Sequence, residues 1–318
     1  MCSFGSRNTY STIRWTLGWG GYLFTTFCRI AVPFFFVTSG YLYFSRDASL
    51  KKYVKRLLTL DIAWTILEFP FILYKCFIIN YSDTNPIFSV FDFFKALLWG
   101  ESYMGSWFIH ASWMGMIALN WILQYCSKFT VHILCVLCFI LALVDTSYQS
   151  LILGTGLGTA WHFMNKIIYP SESFILAIPY LYAGKVIAER KGKASICYVL
   201  FFSFILFFEA IFSRRFSNIG MMFNPRFEQF LSLLPFTVSF VWWLKEVSWQ
   251  VPKWISILMR QQSILIFLLH QPLIMLTYKC TGLSMGGILY ALVVIESIIL
   301  ATLIIHASPK YKIIKYLY

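Results

Sequence analysis

Long apolar runs recur along the whole chain and are separated by short polar segments. A helix rises 1.5 Å per residue, so about 20 residues are needed to cross the hydrocarbon of a bilayer. The pattern predicts nine such spans, and the segment from Ile87 to Trp99, which carries Asp92 and Lys95, is predicted to be an interfacial or re-entrant helix. The predicted spans are residues 20–44, 57–79, 105–126, 129–147, 173–189, 195–213, 228–245, 261–280 and 284–306.

The composition excludes a water-soluble globule. Of the 318 residues 59% are hydrophobic, 20% are aromatic and only 12% are charged, and the mean hydropathy is +0.70. We therefore predict an all-α polytopic membrane protein. Neither an internal repeat nor a soluble domain is evident, so we predict one membrane domain made of an outer segment 1–19, a helix bundle 20–306 and a basic cytoplasmic tail 307–318.

The distribution of lysine and arginine predicts the orientation in the membrane. If the amino terminus lies outside, fifteen basic residues fall on inner segments, eight on outer segments and three within spans. The positive-inside rule then favours the amino terminus outside and the carboxyl terminus in the cytoplasm. The net charge of +13 largely reflects this bias and an affinity for anionic headgroups or ligands, because the sequence has no nucleic-acid-binding motif.

Arg29 is a charge inside an apolar span, four residues before Pro33. An arginine at mid-membrane costs roughly 2.5–3.5 kcal/mol on insertion scales and by default indicates a functional site. Pro33 has no N–H for the carbonyl of Arg29, so a free acceptor and a kink in the helix are expected there. Three other ionisable residues fall at a similar depth in their spans. We hypothesise that these four residues, Arg29, Glu68, His270 and Glu296, share a polar cavity. In this cavity Glu68 or Glu296 would pair with Arg29. The alternative is an ion pair that only holds helices together.

The stretch from Arg29 to Leu42 resembles the second membrane helix of the acyltransferase 3 family of integral-membrane acyltransferases. Four further segments resemble the family's motifs in the same order, namely 51–64, 106–111, 178–185 and 263–272. Members of this family usually have ten helices, of which the first carries an arginine and a catalytic histidine. No segment here corresponds to that helix, so we expect it to be missing from this chain. The inner loop keeps Arg56 but has Thr59 in place of the family's second arginine.

This resemblance implies transfer of an acyl group, commonly acetyl, from cytoplasmic acetyl-CoA or another acyl-CoA as co-substrate. The acceptor would be a hydroxyl of a cell-surface polysaccharide or its lipid-linked precursor, at the cytoplasmic membrane of a bacterium. No bound cofactor or metal is expected. Such a reaction needs a base for the hydroxyl proton, donors for the tetrahedral oxyanion and cations for the phosphates of the acyl donor.

Candidate residues follow for each task. His270, Arg29 and Glu68 are the catalytic candidates, although a lone intramembrane histidine is more often a packing residue. Lys52 and Lys55, together with Arg56 and Lys51, suit phosphate binding, although any inner loop is expected to be basic.

Trp107 and His110 lie one turn apart at the outer end of their span and are the candidates for the acceptor site. An aromatic interface belt is the simpler explanation of Trp107.

Two other motifs are predicted to carry no chemistry of their own. The glycines of segment 154–158 follow no strand and are predicted to lie in an outer loop. Ser39 and Gly40 favour close helix packing over a nucleophilic role. Two alternatives to the enzyme stay open: an inactive remnant or helper of the family, and a glycan or lipid transporter or polymerase.

Overall fold

The computed structural model describes residues 24, 26–74, 77, 86–99, 107–152, 155–192, 194–217, 228–247, 250–283 and 286–318. Every regular element in these residues is helical, which confirms the predicted all-α fold. Eleven α-helices of ten or more residues lie in this described part. They are α1 (Ala31–Ser45), α2 (Leu50–Tyr74), α3 (Pro86–Trp99), α4 (Trp107–Tyr125), α5 (Lys128–Val144), α6 (Gly156–Ile167), α7 (Phe174–Glu189), α8 (Ile196–Ser217), α9 (Leu233–Glu246), α10 (Lys253–Thr281) and α11 (Gly287–Ala307).

Each of the nine predicted spans overlaps one of these helices. Four helical stretches are long and apolar enough by themselves to cross a membrane, namely Thr26–Ser45, Ile196–Ser213, Lys253–Thr281 and Gly287–Ala307. The predicted interfacial helix corresponds to α3. These helices confirm an α-helical membrane bundle.

Helix α6 lies between two predicted spans, in a segment that the sequence placed outside the membrane. Thr155 is extended and its hydroxyl accepts a hydrogen bond from the N–H of Gly158 at 3.3 Å. This is the bond with which an N-cap residue starts a helix. Gly156 and Gly158 therefore lie in the first turn of a helix, because the threonine before them supplies the cap.

The described residues pack as two compact units. Unit 1 is formed from Leu58–Ser106 and Trp249–Tyr318, and unit 2 from Leu23–Leu57 and Trp107–Ser248. The chain crosses from unit 2 to unit 1 within α2. The predicted division into 1–19, 20–306 and 307–318 is a different partition and stays a prediction.

Helix α7 forms the centre of unit 2. Its Leu176, Ala177, Tyr180 and Leu181 are fully buried. A Cβ added at Gly40 of α1 would lie 2.3 Å from the carbonyl oxygen of Leu181, so the two backbones are in direct contact. Small residues permit such an approach in membrane helices. This confirms the packing interpretation of Gly40.

Unit 1 contains the helix pair α10 and α11, which is joined by side-chain hydrogen bonds. The Thr277 hydroxyl donates to Glu296 Oε2 at 2.6 Å, and Gln262 Nε2 donates to Thr302 Oγ1 at 3.0 Å. The predicted basic tail contains a 3₁₀ helix, Lys312–Leu317. The indole N–H of Trp64 donates to the carbonyl of Leu317 at 3.1 Å, so this tail is anchored to α2.

Candidate functional site

Arg29 lies in a turn between the helical residues 26–28 and the start of α1. The N–H groups of Arg29 and Ile30 donate to carbonyls three residues back, at 3.2 and 3.0 Å. Pro33 is the third residue of α1, in the first turn, where a helix tolerates a residue without an N–H. The helical stretch Thr26–Ser45 thus changes to hydrogen bonds three residues back at Arg29 and Ile30. The kink expected at Pro33 stays a prediction.

Within unit 2 the guanidinium of Arg29 pairs with Glu228. Nη2 of Arg29 lies 3.4 Å from Oε1 of Glu228, and 21% and 16% of the two side chains are exposed. The sequence did not single out Glu228 as a partner. The expected pairing of Arg29 with Glu68 or Glu296 joins residues of different units and stays a prediction.

Glu209, in the middle of α8, holds the segment that carries Glu228. Its Oε1 accepts from the N–H of Leu231 at 2.6 Å and from the Tyr148 hydroxyl. Its Oε2 accepts from the N–H of Ser232 at 2.8 Å and from the Ser232 hydroxyl. The side chain of Glu209 thus receives four donors, three of them from the two residues that precede α9.

Two further contacts fix polar groups at the same end of unit 2. The Tyr180 hydroxyl donates to Gln229 Oε1 at 3.2 Å. Asp145, which is fully buried, accepts at Oδ2 from the N–H of Ser171 at 3.1 Å and from its hydroxyl at 2.5 Å. We call this the Arg29 end of unit 2: the starts of α1, α7 and α9 meet the end of α5 there.

Burial raises the pKa of the Tyr148 phenol, and the hydrogen bond to Glu209 raises it further. Tyr148 lies just beyond the predicted span 129–147. Its hydroxyl is therefore protonated at neutral pH and acts as the donor to the Glu209 carboxylate.

The opposite end of unit 2 is basic, and we call it the Lys185 end. The donor-binding candidates Lys52, Lys55 and Arg56 lie there, exposed, in the first two turns of α2. Between them, Tyr53 faces inward with its ring 5.4 Å from that of Tyr43, and burial raises its phenol pKa. The described residues of unit 2 place ten basic and three acidic residues at this end. The basic residues are Arg46, Lys51, Lys52, Lys55, Arg56, Lys128, Lys185, Arg190, Lys191 and Lys245, and the acidic ones are Asp47, Glu189 and Glu246.

Contacts between helices order several of these groups. The guanidinium of Arg190 lies over the ring of Trp242, 5.2 Å from its centroid, and Lys245 Nζ donates to the carbonyl of Arg190 at 3.1 Å. Lys185 Nζ lies 5.8 Å from the centroid of Phe44 and pairs with Glu189. The Lys185 end therefore combines positive charge with aromatic surface.

The acceptor-site candidates Trp107 and His110 lie in the first turn of α4. The imidazole of His110 is 9% exposed and lies 4.8 Å from the Trp113 ring. The Trp107 ring is half-buried, 6.4 Å from Phe36 of the core. This helix start belongs to the Arg29 end, because α4 packs beside α7 and the 3₁₀ helix Pro170–Glu172. Both residues stay predictions for acceptor binding.

The remaining catalytic candidates belong to unit 1. Glu68 is 2% exposed although its neighbours Leu67 and Phe69 are exposed. Nδ1 of His270 faces the carbonyl oxygen of Phe267. Because a carbonyl only accepts, Nδ1 carries the proton of the neutral ring, and the basic lone pair is on Nε2.

Sequence reasoning missed Glu209, Glu228, Asp145 and Asp61. Glu209, Asp61 and Asp145 lie inside predicted spans, but nearer the span ends than Arg29 and Glu68, so the criterion of similar depth did not select them. Asp61 is 4% exposed and lies two turns before Glu68 on the same buried face of α2. Which donors surround Glu209 had no sequence signal, because they come from non-helical residues remote in the chain, Tyr148 and the two residues before α9.

A sequence model of a known family, described as an acyltransferase domain, matches residues 3–307. Neither the curated proteins nor the solved structures that were searched contain a match. The family match thus covers both units.

Proposed function

The chain belongs to the acyltransferase 3 family, and from this premise we propose that it moves an acetyl or other acyl group from acyl-CoA to a hydroxyl of a surface polysaccharide or its lipid-linked precursor. That the protein is a membrane acyltransferase follows from the family and the apolar helices. The identity of the acyl donor, the identity of the acceptor and the direction of transfer across the membrane are the parts that we propose. The observation that carries them is the contrast between the two ends of unit 2.

The Lys185 end is suited to the acyl donor. Coenzyme A carries phosphate groups, which bind guanidinium and ammonium groups by charge-assisted hydrogen bonds. Lys52, Lys55 and Arg56 are exposed at this end. In the proposed orientation, with the amino terminus outside a bacterial cytoplasmic membrane, this end faces the cytoplasm, where acyl-CoA is made.

The Arg29 end is suited to the acceptor. A guanidinium donates hydrogen bonds and a carboxylate accepts them, so the partly exposed pair of Arg29 and Glu228 presents both functions to a sugar hydroxyl. Trp107 and His110 lie at the same end; the half-buried Trp107 is proposed to offer ring surface to a sugar, with the buried His110 one turn behind it. The 15 residues of α1 separate this end from the donor loop by roughly 22 Å.

The chemistry is a substitution at the thioester carbonyl. A base removes the proton of the acceptor hydroxyl, the oxygen attacks the carbonyl carbon, and the tetrahedral oxyanion collapses. The carbon–sulfur bond breaks, and the coenzyme A thiolate takes the proton from the base. We propose His270 as this base, since its neutral ring has the lone pair on Nε2.

The test uses membranes that contain the protein, radiolabelled acetyl-CoA, and p-nitrophenyl glycosides or the membranes' own lipid-linked saccharides as acceptors. His270→Ala is expected to lower the transfer rate about 10²–10⁴-fold, as removal of a general base does. His306→Ala is the control, because His306 is an exposed residue in the last turn of α11. Wild-type protein that transfers no label overturns the proposed reaction. A normal rate in His270→Ala at equal protein level overturns the role of His270.

A further inference from the structure

Glu209 accepts hydrogen bonds from the segment that brings Glu228 to Arg29, and it lies in an apolar stretch of α8. We infer that Glu209 is a positioning residue: it fixes residues 228–232 and thereby holds the carboxylate of Glu228 against the guanidinium of Arg29. The inference rests on the proposed function in one respect, that the Arg29 end binds the acceptor hydroxyl.

The segment 228–232 needs such an anchor because it is not helical. At the start of a helix, N–H groups have no acceptor within the helix itself. The N–H groups of Leu231 and Ser232 both find theirs on Glu209. The positive end of the α9 dipole favours an anion at this place. The charge of Glu209 is therefore balanced by backbone groups.

Two more contacts restrain the same segment from its other side. The Phe230 side chain is fully buried, and Gln229 accepts from Tyr180 of the central helix α7. Glu228 is the residue immediately before Gln229. Its backbone position is thus set by anchors at the next four residues, of which Glu209 supplies those at Leu231 and Ser232.

A carboxylate at position 209 is hard to replace by an amide. The two oxygens of Glu209 accept four hydrogen bonds, whereas a glutamine has one accepting oxygen and an NH₂ group that only donates. In Glu209→Gln the NH₂ group would point at donors, and two of the four donors would lose their acceptor. The segment is then expected to move, and Glu228 with it.

This role differs measurably from simple stabilisation. A purely structural loss lowers the amount of active protein and leaves both KM values unchanged. Loss of positioning at the Arg29 end instead raises the KM for the acceptor while the KM for acetyl-CoA stays constant, because the donor binds at the other end of unit 2. We expect an increase of about tenfold, typical of the loss of a charge-assisted hydrogen bond.

The experiment measures both KM values for wild type, Glu209→Gln, Arg29→Gln and the double variant, with p-nitrophenyl glycosides as acceptors. If Glu209 acts through Arg29 and Glu228, the double variant has the acceptor KM of Arg29→Gln alone. Glu209→Asp, which keeps the charge, is expected to recover part of the loss. His306→Ala is the control and is expected to change neither KM, because His306 is an exposed residue in the last turn of α11, outside both ends of unit 2. Additive effects of Glu209→Gln and Arg29→Gln overturn the inference.

A second readout does not depend on transfer activity. The thermal unfolding of Arg29→Gln, Glu228→Gln and their double variant in detergent gives the coupling between the two residues. This coupling is measured with Glu209 present and in the Glu209→Gln background. We expect it to be present in the first case and lost in the second. Equal coupling in both backgrounds, or none in either, overturns the positioning role, whereas absent transfer by the wild type overturns only the proposed function.

Discussion

The contact between α1 and α7 gives a prediction whose size can be worked out from the structure. A Cβ added at Gly184 would lie 2.3 Å from the carbonyl oxygen of Val37 and 2.5 Å from the backbone nitrogen of Tyr41. Ordinary contact begins at 3.4 Å, so the change Gly184→Ala pushes two backbones about 1 Å apart. Neither neighbouring atom belongs to a flexible side chain that can swing away.

The expected cost follows from two opposing effects. Overpacking of a well-packed core costs about 1–3 kcal/mol, and rigid backbone neighbours place this site at the upper end. Replacing glycine by alanine inside a helix contributes about 0.5–1 kcal/mol in the other direction. The net effect of Gly184→Ala is a loss of about 2 kcal/mol, which corresponds to a melting temperature roughly 3 °C lower for a chain of this length.

The assay is thermal unfolding of the detergent-solubilised protein, followed by the monodisperse fraction after heating. Gly287→Ala is the matched control, because a Cβ at Gly287 of α11 meets no atom within 4 Å. Its melting temperature is expected to equal or exceed that of the wild type. A Gly184→Ala protein that melts with the wild type or above it refutes the argument from direct backbone contact.

Two further predictions concern the two ends of unit 2. The triple variant Lys52→Gln/Lys55→Gln/Arg56→Gln is expected to raise the KM for acetyl-CoA at least about tenfold and to leave the acceptor KM unchanged. The reason is that each lost phosphate contact removes a charge-assisted hydrogen bond. A KM for acetyl-CoA within twofold of wild type contradicts donor binding by this loop. The pKa of Tyr148 is raised in the folded protein. Its contribution to stability is therefore complete below pH about 10, the ordinary tyrosine pKa, and is lost as the pH rises through the pKa of the folded protein. Tyr148→Phe is therefore expected to reduce the alkaline drop in melting temperature above pH about 10, and an unchanged drop contradicts the buried hydrogen bond to Glu209.

Much of the fold could be predicted because each helix of a membrane bundle is long, apolar and bounded by polar residues. Helix α6 was not among the predicted helices, because its start depends on one capping threonine in a glycine-rich segment. The packing role of Gly40 was also predictable, since small residues mark close helix contacts. The backbone that Gly40 contacts could not be predicted, because Leu181 is remote in sequence and no local pattern indicates it.

The site was predictable only in part. Charge in an apolar helix together with mid-span depth selected Arg29 and Glu68, and without the depth criterion the charge alone would have added Glu209. The partners of these charged residues could not be predicted, because they depend on how helices and loops approach one another. The partner of Arg29 in unit 2, Glu228, lies 199 positions away and just before a helix start, so its carboxylate had no periodic or motif signal that linked it to Arg29.

The crossing of α1 and α7 also restricts how unit 2 can deform. Where backbone meets backbone at Gly40 and Gly184, a shift of α1 by one helical turn along α7 would bring Phe36 or Phe44 into a space that admits no Cβ. Axial sliding is thereby blocked, and rotation about the crossing is the motion that stays available. The two helices should then work as a lever with a fixed fulcrum, which couples a displacement at Arg29 to one at Phe44 and Lys185. Cysteine crosslinking of α1 to α7 with and without acetyl-CoA checks this: crosslinks that shift by a full residue along α7 would rule out a fixed fulcrum.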